Sequence, residues 1–382
     1  MVAYDLEEVR KKLSLSKIKT WYKQGWINEE QWSVIREQYQ TKLYSPSVIM
    51  RILLFVVTLI GISTVLTPFA FAFEIDSEIG IRVMMVLVGI ASLLFTELKM
   101  IKDSHHYKSG VTEAGYYVGG SFLFLGVLGF DMESEWVYIA VAFLFLVGAS
   151  IRYMDLLALG AAVLCFVYLL FYVFTSVIAF LPFLVMIVFA GLFFLSQRLQ
   201  KVVDGLIWED HFIIFDTMAL MLIYLGGNYF VVREMSVGML GVEVSEGGDI
   251  PFAFLFYAFT FLIPVGYLVW GIVKKEILFI RVSLLTLTLS VITIKYYYGL
   301  DYPEVTVTIA GAVMILAAIG VMNYLKIDRK GFTREPLVQS KWENSDMTAF
   351  IASQTLGGHQ IQDDGFSGQG GTFGGGGASG EF

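Results

Sequence analysis

The sequence predicts an all-α, polytopic membrane helix bundle of about ten transmembrane helices. A small N-terminal helical hairpin precedes it, and a disordered Gly-rich C-terminal tail follows. Three observations carry this. Of the 382 residues 57% are hydrophobic and only 16% charged, whereas soluble domains are about 45–50% apolar and about a quarter charged. The apolar residues fall in repeated segments near the roughly 20 residues that a bilayer core of about 30 Å requires. No alternating ten-residue strands of a membrane barrel are seen, and backbone groups in lipid must pair internally, so the segments read as helices.

The formal charge of −8 argues against nucleic acid as a partner. Cys165 is the only cysteine and lies in an apolar run, which leaves no internal disulfide and no cysteine-based metal site. No cleavable signal peptide is visible. The first hydrophobic segment is expected to act as an uncleaved anchor.

Residues 1–45 read as a cytoplasmic hairpin. Its first helix carries Leu6, Val9, Leu13, Ile18, Trp21 and Tyr22 among lysines. A turn follows at Gly25-Trp26-Ile27. Asn28 is then a good N-cap, Glu29 and Glu30 suit the positive end of the helix dipole, and Gln31 completes a capping box. Ile27 and Trp32 stand at the positions of a hydrophobic staple, and Trp32, Ile35 and Tyr39 continue one face. Two readings are open. The hairpin packs on itself or on an anionic membrane surface, or it is an interaction or oligomerisation module.

The run Lys17-Ile-Lys-Thr-Trp-Tyr-Lys-Gln-Gly-Trp-Ile-Asn-Glu-Glu-Gln-Trp-Ser-Val-Ile, followed by Arg51-Ile-Leu-Leu-Phe-Val-Val-Thr-Leu-Ile-Gly-Ile, resembles the opening of a bacterial family of integral membrane proteins, domain of unknown function 2157. The likeness covers roughly the first 130 residues. It implies a multi-pass membrane protein and brings no catalytic residues with it.

The membrane domain is expected over 46–326, with spans near 48–72, 80–98, 114–130, 136–151, 156–174, 177–196, 211–232, 252–273, 277–295 and 304–325. Lysine and arginine set the orientation. Nine of the 26 lie before or at Arg51. Others follow span 2 (Lys99, Lys102, Lys108), span 4 (Arg152), span 6 (Arg198, Lys201) and span 8 (Lys274, Lys275). The opposite connections are acidic, with Glu74, Asp76, Glu78, Asp131, Glu133, Glu135, Glu243, Glu246 and Asp249. Both termini are therefore expected in the cytoplasm of a bacterial cell, with the bundle in its inner membrane.

Gly115 and Gly119 make a GxxxG spacing, with Gly120, Gly126 and Gly129 nearby. Small residues let helices approach closely, either within the bundle or at a homodimer face. Pro182 and Pro264 are expected to kink spans 6 and 8. Two inverted five-helix halves would suit a transporter, but the halves show no sequence similarity.

Ionisable residues inside a span are costly and mark functional candidates. Asp216 and Arg281 stand at similar depth in spans 7 and 9 and are expected to pair. Glu97 ends span 2. With His211 and the His105-His106 pair it could line a polar cavity open to the cytoplasm, or it could stand at the water interface. Lys295 and Arg233 are expected to snorkel, and Asn228 and Asn323 to bond between helices. No GxxxxGK[ST] loop, HExxH or G-x-S-x-G motif occurs, so no nucleotide, zinc or nucleophile-elbow chemistry is indicated. Ser283 or Ser290 with His211 would be the remaining arrangement for an intramembrane hydrolase, although serine in a span is usually bonded to backbone. The expectation is no cofactor, no metal and no catalytic residue.

The tail, 327–382, turns polar, and nine of the 18 residues from Gly365 to Phe382 are glycine. Such a chain is expected to be disordered from about 361, since it has little apolar surface to offset its ordering entropy. Phe366, Phe373 and Phe382 punctuate it. They suggest docking to a partner, against an idle flexible tail. Two functions follow: a non-enzymatic scaffold or sensor acting through residues 5–43 and the tail, or a secondary transporter with Asp216, Arg281 and Glu97 in its pathway.

Overall fold

The computed structural model describes residues 2–72, 77–129, 134–238 and 248–298, together with isolated positions between 308 and 323. The tail with Phe366, Phe373 and Phe382, and almost all of the tenth expected span, lie outside the described residues.

Among the described residues the chain is built of helices. The hairpin is α1 (Leu6–Lys23) and α2 (Glu29–Gln38). It is followed by α3 (Val48–Ala72), α4 (Glu78–Leu94), α5 (Val111–Leu128), α6 (Glu135–Tyr153), α7 (Leu156–Val173) and α8 (Leu181–Leu199). Then come α9 (Gly205–Gly227), α10 (Tyr229–Gly238), α11 (Ala253–Lys274) and α12 (Ile277–Tyr298). A π-helical segment, Phe95–Asp103, extends α4, and a 3₁₀ segment, Thr175–Phe180, leads into α8. Among the described residues six helices are long and apolar enough to cross a membrane: α4 with its π-helical extension, α5, α6, α7, α8 and α11. The apolar stretches Val48–Thr64 of α3 and Ile277–Thr293 of α12 are shorter.

Consecutive long helices pair closely, α4 with α5, α6 with α7, α8 with α9 and α11 with α12. The glycines of α5 explain the first pair. Gly89 and Gly119 face each other, and a Cβ on Gly89 would stand 2.8 Å from the Leu123 backbone nitrogen and 2.9 Å from the Gly119 carbonyl. Gly126 lies equally close to Arg82 and Val86, and Gly115 to Thr96. The small-residue stripe is thus used for packing inside the chain.

Two expectations are corrected here. Pro182 does not kink a helix. It stands in the first turn of α8, after the 3₁₀ segment, where its missing N–H costs nothing. The expected span 211–232 is not one helix. α9 starts earlier, at Gly205, N-capped by Asp204, and ends at Asn228, which is extended (ψ 122°) before α10 begins. Asn228 holds this break. Its Nδ2 donates to the Tyr224 hydroxyl (2.7 Å) and to Thr293 Oγ1 (3.0 Å), and its Oδ1 accepts from the Val231 N–H. The inter-helix role expected of Asn228 is what the structure gives. Pro264 lies buried inside α11.

The hairpin forms as its capping residues dictate. The Asn28 side chain accepts from the Gln31 N–H at 2.8 Å, and the Gln31 side chain accepts from the Asn28 N–H at 3.0 Å. Tyr22 stacks on Trp32, with ring centroids 5.5 Å apart. The hairpin does not stand apart from the bundle, since α1 lies against α9. Tyr4 and Val9 are buried in one cluster with Ile101, Tyr107, Tyr116, Tyr153, Met154 and Ile207.

Candidate functional site

The end of the bundle that the hairpin covers gathers a group of buried and half-buried charged side chains. Three carboxylates form its centre, and each is placed by a local feature of the backbone.

Glu97 is carried by the π-helical segment, a geometry frequent at functional sites. It receives Arg152 in a two-point clasp: Arg152 Nε to Oε1 and Nη2 to Oε2, both at 2.5 Å. The Tyr153 hydroxyl adds a bond to Oε1 at 2.9 Å. Planar guanidinium matched to carboxylate is the strong form of this pair. The Arg152 carbonyl in turn accepts from the Ala3 N–H at 2.8 Å, so the start of the chain touches the same residue.

Glu113 stands in the first turn of α5. One oxygen pairs with Arg51, and the other accepts from the Gly110 N–H and the Thr112 hydroxyl, each at 2.7 Å. Gly110 has φ of +89° and lies against the Arg51 carbonyl, where any Cβ would collide. Only glycine combines this turn with this approach.

Asp155 follows Met154, whose left-handed backbone (φ 54°) ends α6. Its Oδ1 accepts from the Leu157 and Ala158 N–H groups at 2.7 and 3.4 Å, capping α7. Its Oδ2 accepts from the Tyr116 hydroxyl and, at 2.8 Å, from the Tyr117 hydroxyl. Tyr116 also stacks on Tyr153, with centroids 4.3 Å apart, linking the third carboxylate site to the first.

Around this centre the hairpin is pinned by charge. Arg10 pairs with Asp204 and Lys17 with Glu209 (2.5 Å), both acids belonging to the start of α9. Arg10 holds the Asp204 carboxyl below its ordinary range. Lys11, helped by the Lys42 N–H and the Thr41 hydroxyl, pulls Glu8 down to about 2. Those bonds tie the strap before α3 to α1. The strap is also bridged to the loop after the π-helical segment. The Tyr44 N–H donates to the His105 carbonyl (2.9 Å), and the Tyr107 N–H donates to the Tyr44 carbonyl (2.8 Å). Burial holds the His106 imidazole below its usual value.

Asp216 and Arg281 are not brought here. Asp216 is buried between α8 and α9. Its Oδ2 accepts from Gln197 Nε2 and Gln200 Nε2, both at 2.8 Å. Arg281 lies on the exposed face of α12, and no ion pair joins it to Asp216 among the described residues. His211 is buried against Trp208 at the covered end, within electrostatic reach of Asp155 and Lys108, and neither ring nitrogen has a side-chain hydrogen-bond partner. Ser290 donates to the Thr260 carbonyl (2.6 Å) and Ser283 to the Ile280 carbonyl (2.7 Å), so both hydroxyls bond to backbone.

An apolar cleft of about 110 Å³ opens among α7, α8, α9 and α10, lined by Val167, Phe171, Leu181, Pro182, Leu222 and Met235. Glu97, Asp216 and Arg281 do not line it.

Sequence reasoning found Glu97 but missed Glu113, Asp155 and their tyrosines. A signal was present for two of them. Asp155 directly precedes an 18-residue apolar helix, and Glu113 stands three residues after Gly110, both capping positions. Comparison with family models, with curated proteins and with solved structures finds no match to this chain.

Proposed function

We propose that this chain is a multi-pass protein of the bacterial inner membrane, with both termini cytoplasmic, acting as a non-enzymatic scaffold or sensor. Its working part is the hairpin, held on one end of the bundle. The observation that carries this is the docking itself. Arg10 and Lys17 are matched to Asp204 and Glu209, and the Ala3 N–H ahead of the hairpin bonds the carbonyl of Arg152, which clasps Glu97. Exposed ion pairs of this kind contribute only about 0–1 kcal/mol each. The hairpin is therefore held firmly enough to have one resting position and loosely enough to be displaced by a partner or an anionic surface. Glu97, Glu113 and Asp155 each have a cation or hydroxyl partner, which suits a lock better than a path for cargo.

The test compares three forms of the full chain in cells: wild type, Arg10→Glu/Lys17→Glu, and an Arg10→Cys/Asp204→Cys form locked by a short membrane-permeant bismaleimide, since a disulfide does not persist in the reducing cytoplasm. Partners recovered after gentle crosslinking should differ between the locked and charge-reversed forms. An identical partner set in all three refutes the reading.

Transport is the second reading. The buried Asp216 and the polar break of α9 at Asn228 favour it. Substrate-independent ion flux in proteoliposomes, abolished by Asp216→Asn, would establish it in place of the first.

A further inference from the structure

Asp216 differs from every other buried carboxylate described above. Its residue is only 4% exposed. Glu97 and Glu113 face arginines, and Asp155 faces two phenols and a helix start. Asp216 has two neutral amides on Oδ2 and the buried, neutral Ser196 hydroxyl close by, and its Oδ1 makes no hydrogen bond.

The charged groups on the elements packed against α9 do not compensate it. α8 carries Arg198, and the α11–α12 turn carries Lys274, Lys275 and Glu276, all exposed. α12 carries Arg281, also exposed. α7 begins at Asp155, which is occupied as its cap. α10 carries Arg233 and Glu234, beyond the break at Asn228. α1 offers Lys17, paired with Glu209. On α9 itself the nearest titratable groups are Asp210 and His211. None of these forms an ion pair with Asp216 among the described residues.

A carboxylate in an apolar interior without a countercharge is far costlier than a carboxylic acid. A protonated carboxyl is also a donor, and it needs an acceptor. Glutamine supplies both functions from one side chain, since its amide can turn to present either Nε2 or Oε1.

We propose that Asp216 is a proton-binding site of the α8–α9 pair. Its carboxyl carries an exchangeable proton at neutral pH, and Gln197 and Gln200 serve both its states. With the proton absent, both amides donate to the carboxylate, as observed. With the proton bound, one amide turns so that its carbonyl oxygen accepts from the new O–H. The proton comes from and returns to water, and no other bond changes. The inference is independent of hairpin docking and stands on different residues.

The test uses a hydrophobic carbodiimide, which adds to protonated carboxyls in apolar surroundings. The full chain in mild detergent is labelled over a series of pH values and mapped by peptide mass spectrometry. Asp216 should gain one carbodiimide mass at neutral pH, while Glu97, Glu113 and Asp155 stay unmodified. The labelling should fall about tenfold per pH unit once the pH exceeds the titration point. Asp216→Asn should remove the labelled species. Should that variant fail to fold, the wild-type peptide map decides by itself. Absence of label at Asp216, or equal label on all four carboxyls, overturns the proposal. Protection by sodium chloride but not by choline chloride also overturns it, in favour of a metal cation at the same oxygens.

Discussion

Replacing Asp155 by alanine tests whether the covered end of the bundle is held by the carboxylate centre or only by apolar packing. Asp155 is 4% exposed and has two separate duties. Its Oδ1 caps α7 through the Leu157 and Ala158 N–H groups, and losing such a cap costs about 1 kcal/mol. Its Oδ2 accepts from Tyr116 and Tyr117. Tyr116 is 1% exposed, so its hydroxyl would be left buried without an acceptor, at about 1–3 kcal/mol. Tyr117 is only partly buried and can turn toward water, so it adds less. The sum is about 2–4 kcal/mol. Asp155→Asn keeps one acceptor oxygen and should lose about half of that or less. Asp155→Ala combined with Tyr116→Phe and Tyr117→Phe removes the stranded donors. It should recover about 1 kcal/mol or more relative to Asp155→Ala alone. Reversible unfolding of the purified full chain by sodium dodecyl sulfate in mixed micelles measures each difference. A cost for Asp155→Ala below about 0.5 kcal/mol, or a triple variant no more stable than the single one, would refute the argument.

Other outcomes follow from the same structure. Gly89→Ala should destabilise the α4–α5 pair by about 1–3 kcal/mol, because its Cβ meets backbone. Gly148→Ala, with nothing within 4 Å, should be neutral or slightly stabilising in the same unfolding assay. Arg10→Glu should raise amide hydrogen exchange of α1 up to about fivefold, and adding Asp204→Arg should restore protection. Unchanged exchange in the single variant would show that this pair does not hold the hairpin. The His106 imidazole is held below its ordinary value by burial, so the unfolded chain binds the proton first as pH falls. Its contribution to stability is complete above about pH 6.5 and declines below it. His106→Gln should therefore lose less stability than wild type between neutral and mildly acidic buffer, measured by thermal unfolding in detergent. Asp204, held low by Arg10, acts in a lower window. Its share is present above about pH 3.8 and disappears as the pH falls through its depressed value.

The two kinds of information separate along a physical line. Hydropathy and capping act within one helix or one turn, so they are written locally. The runs that became α3 to α8, α11 and α12 were legible from apolar length, and the Asn28–Gln31 capping box from four adjacent residues. The same local code holds a capping signal for Asp155 and Glu113, which the reading of the sequence passed over, and it does not say that their second oxygens take tyrosines or an arginine. Glu97 illustrates the limit. Its position near a span end suggested an interface or a pathway, yet its partner lies 55 residues further on. Arg10 meets Asp204 across 194 residues, and no spacing rule reaches that far. The expected Asp216–Arg281 pair failed for the related reason that equal depth does not determine which way a side chain faces. One residue turned into the α8–α9 contact and the other out of the bundle. Where each helix begins and what it contains were set by the amino acids along it. Which charges pair with one another, and which carboxyl is met by neutral amides instead, was decided only by how those helices packed.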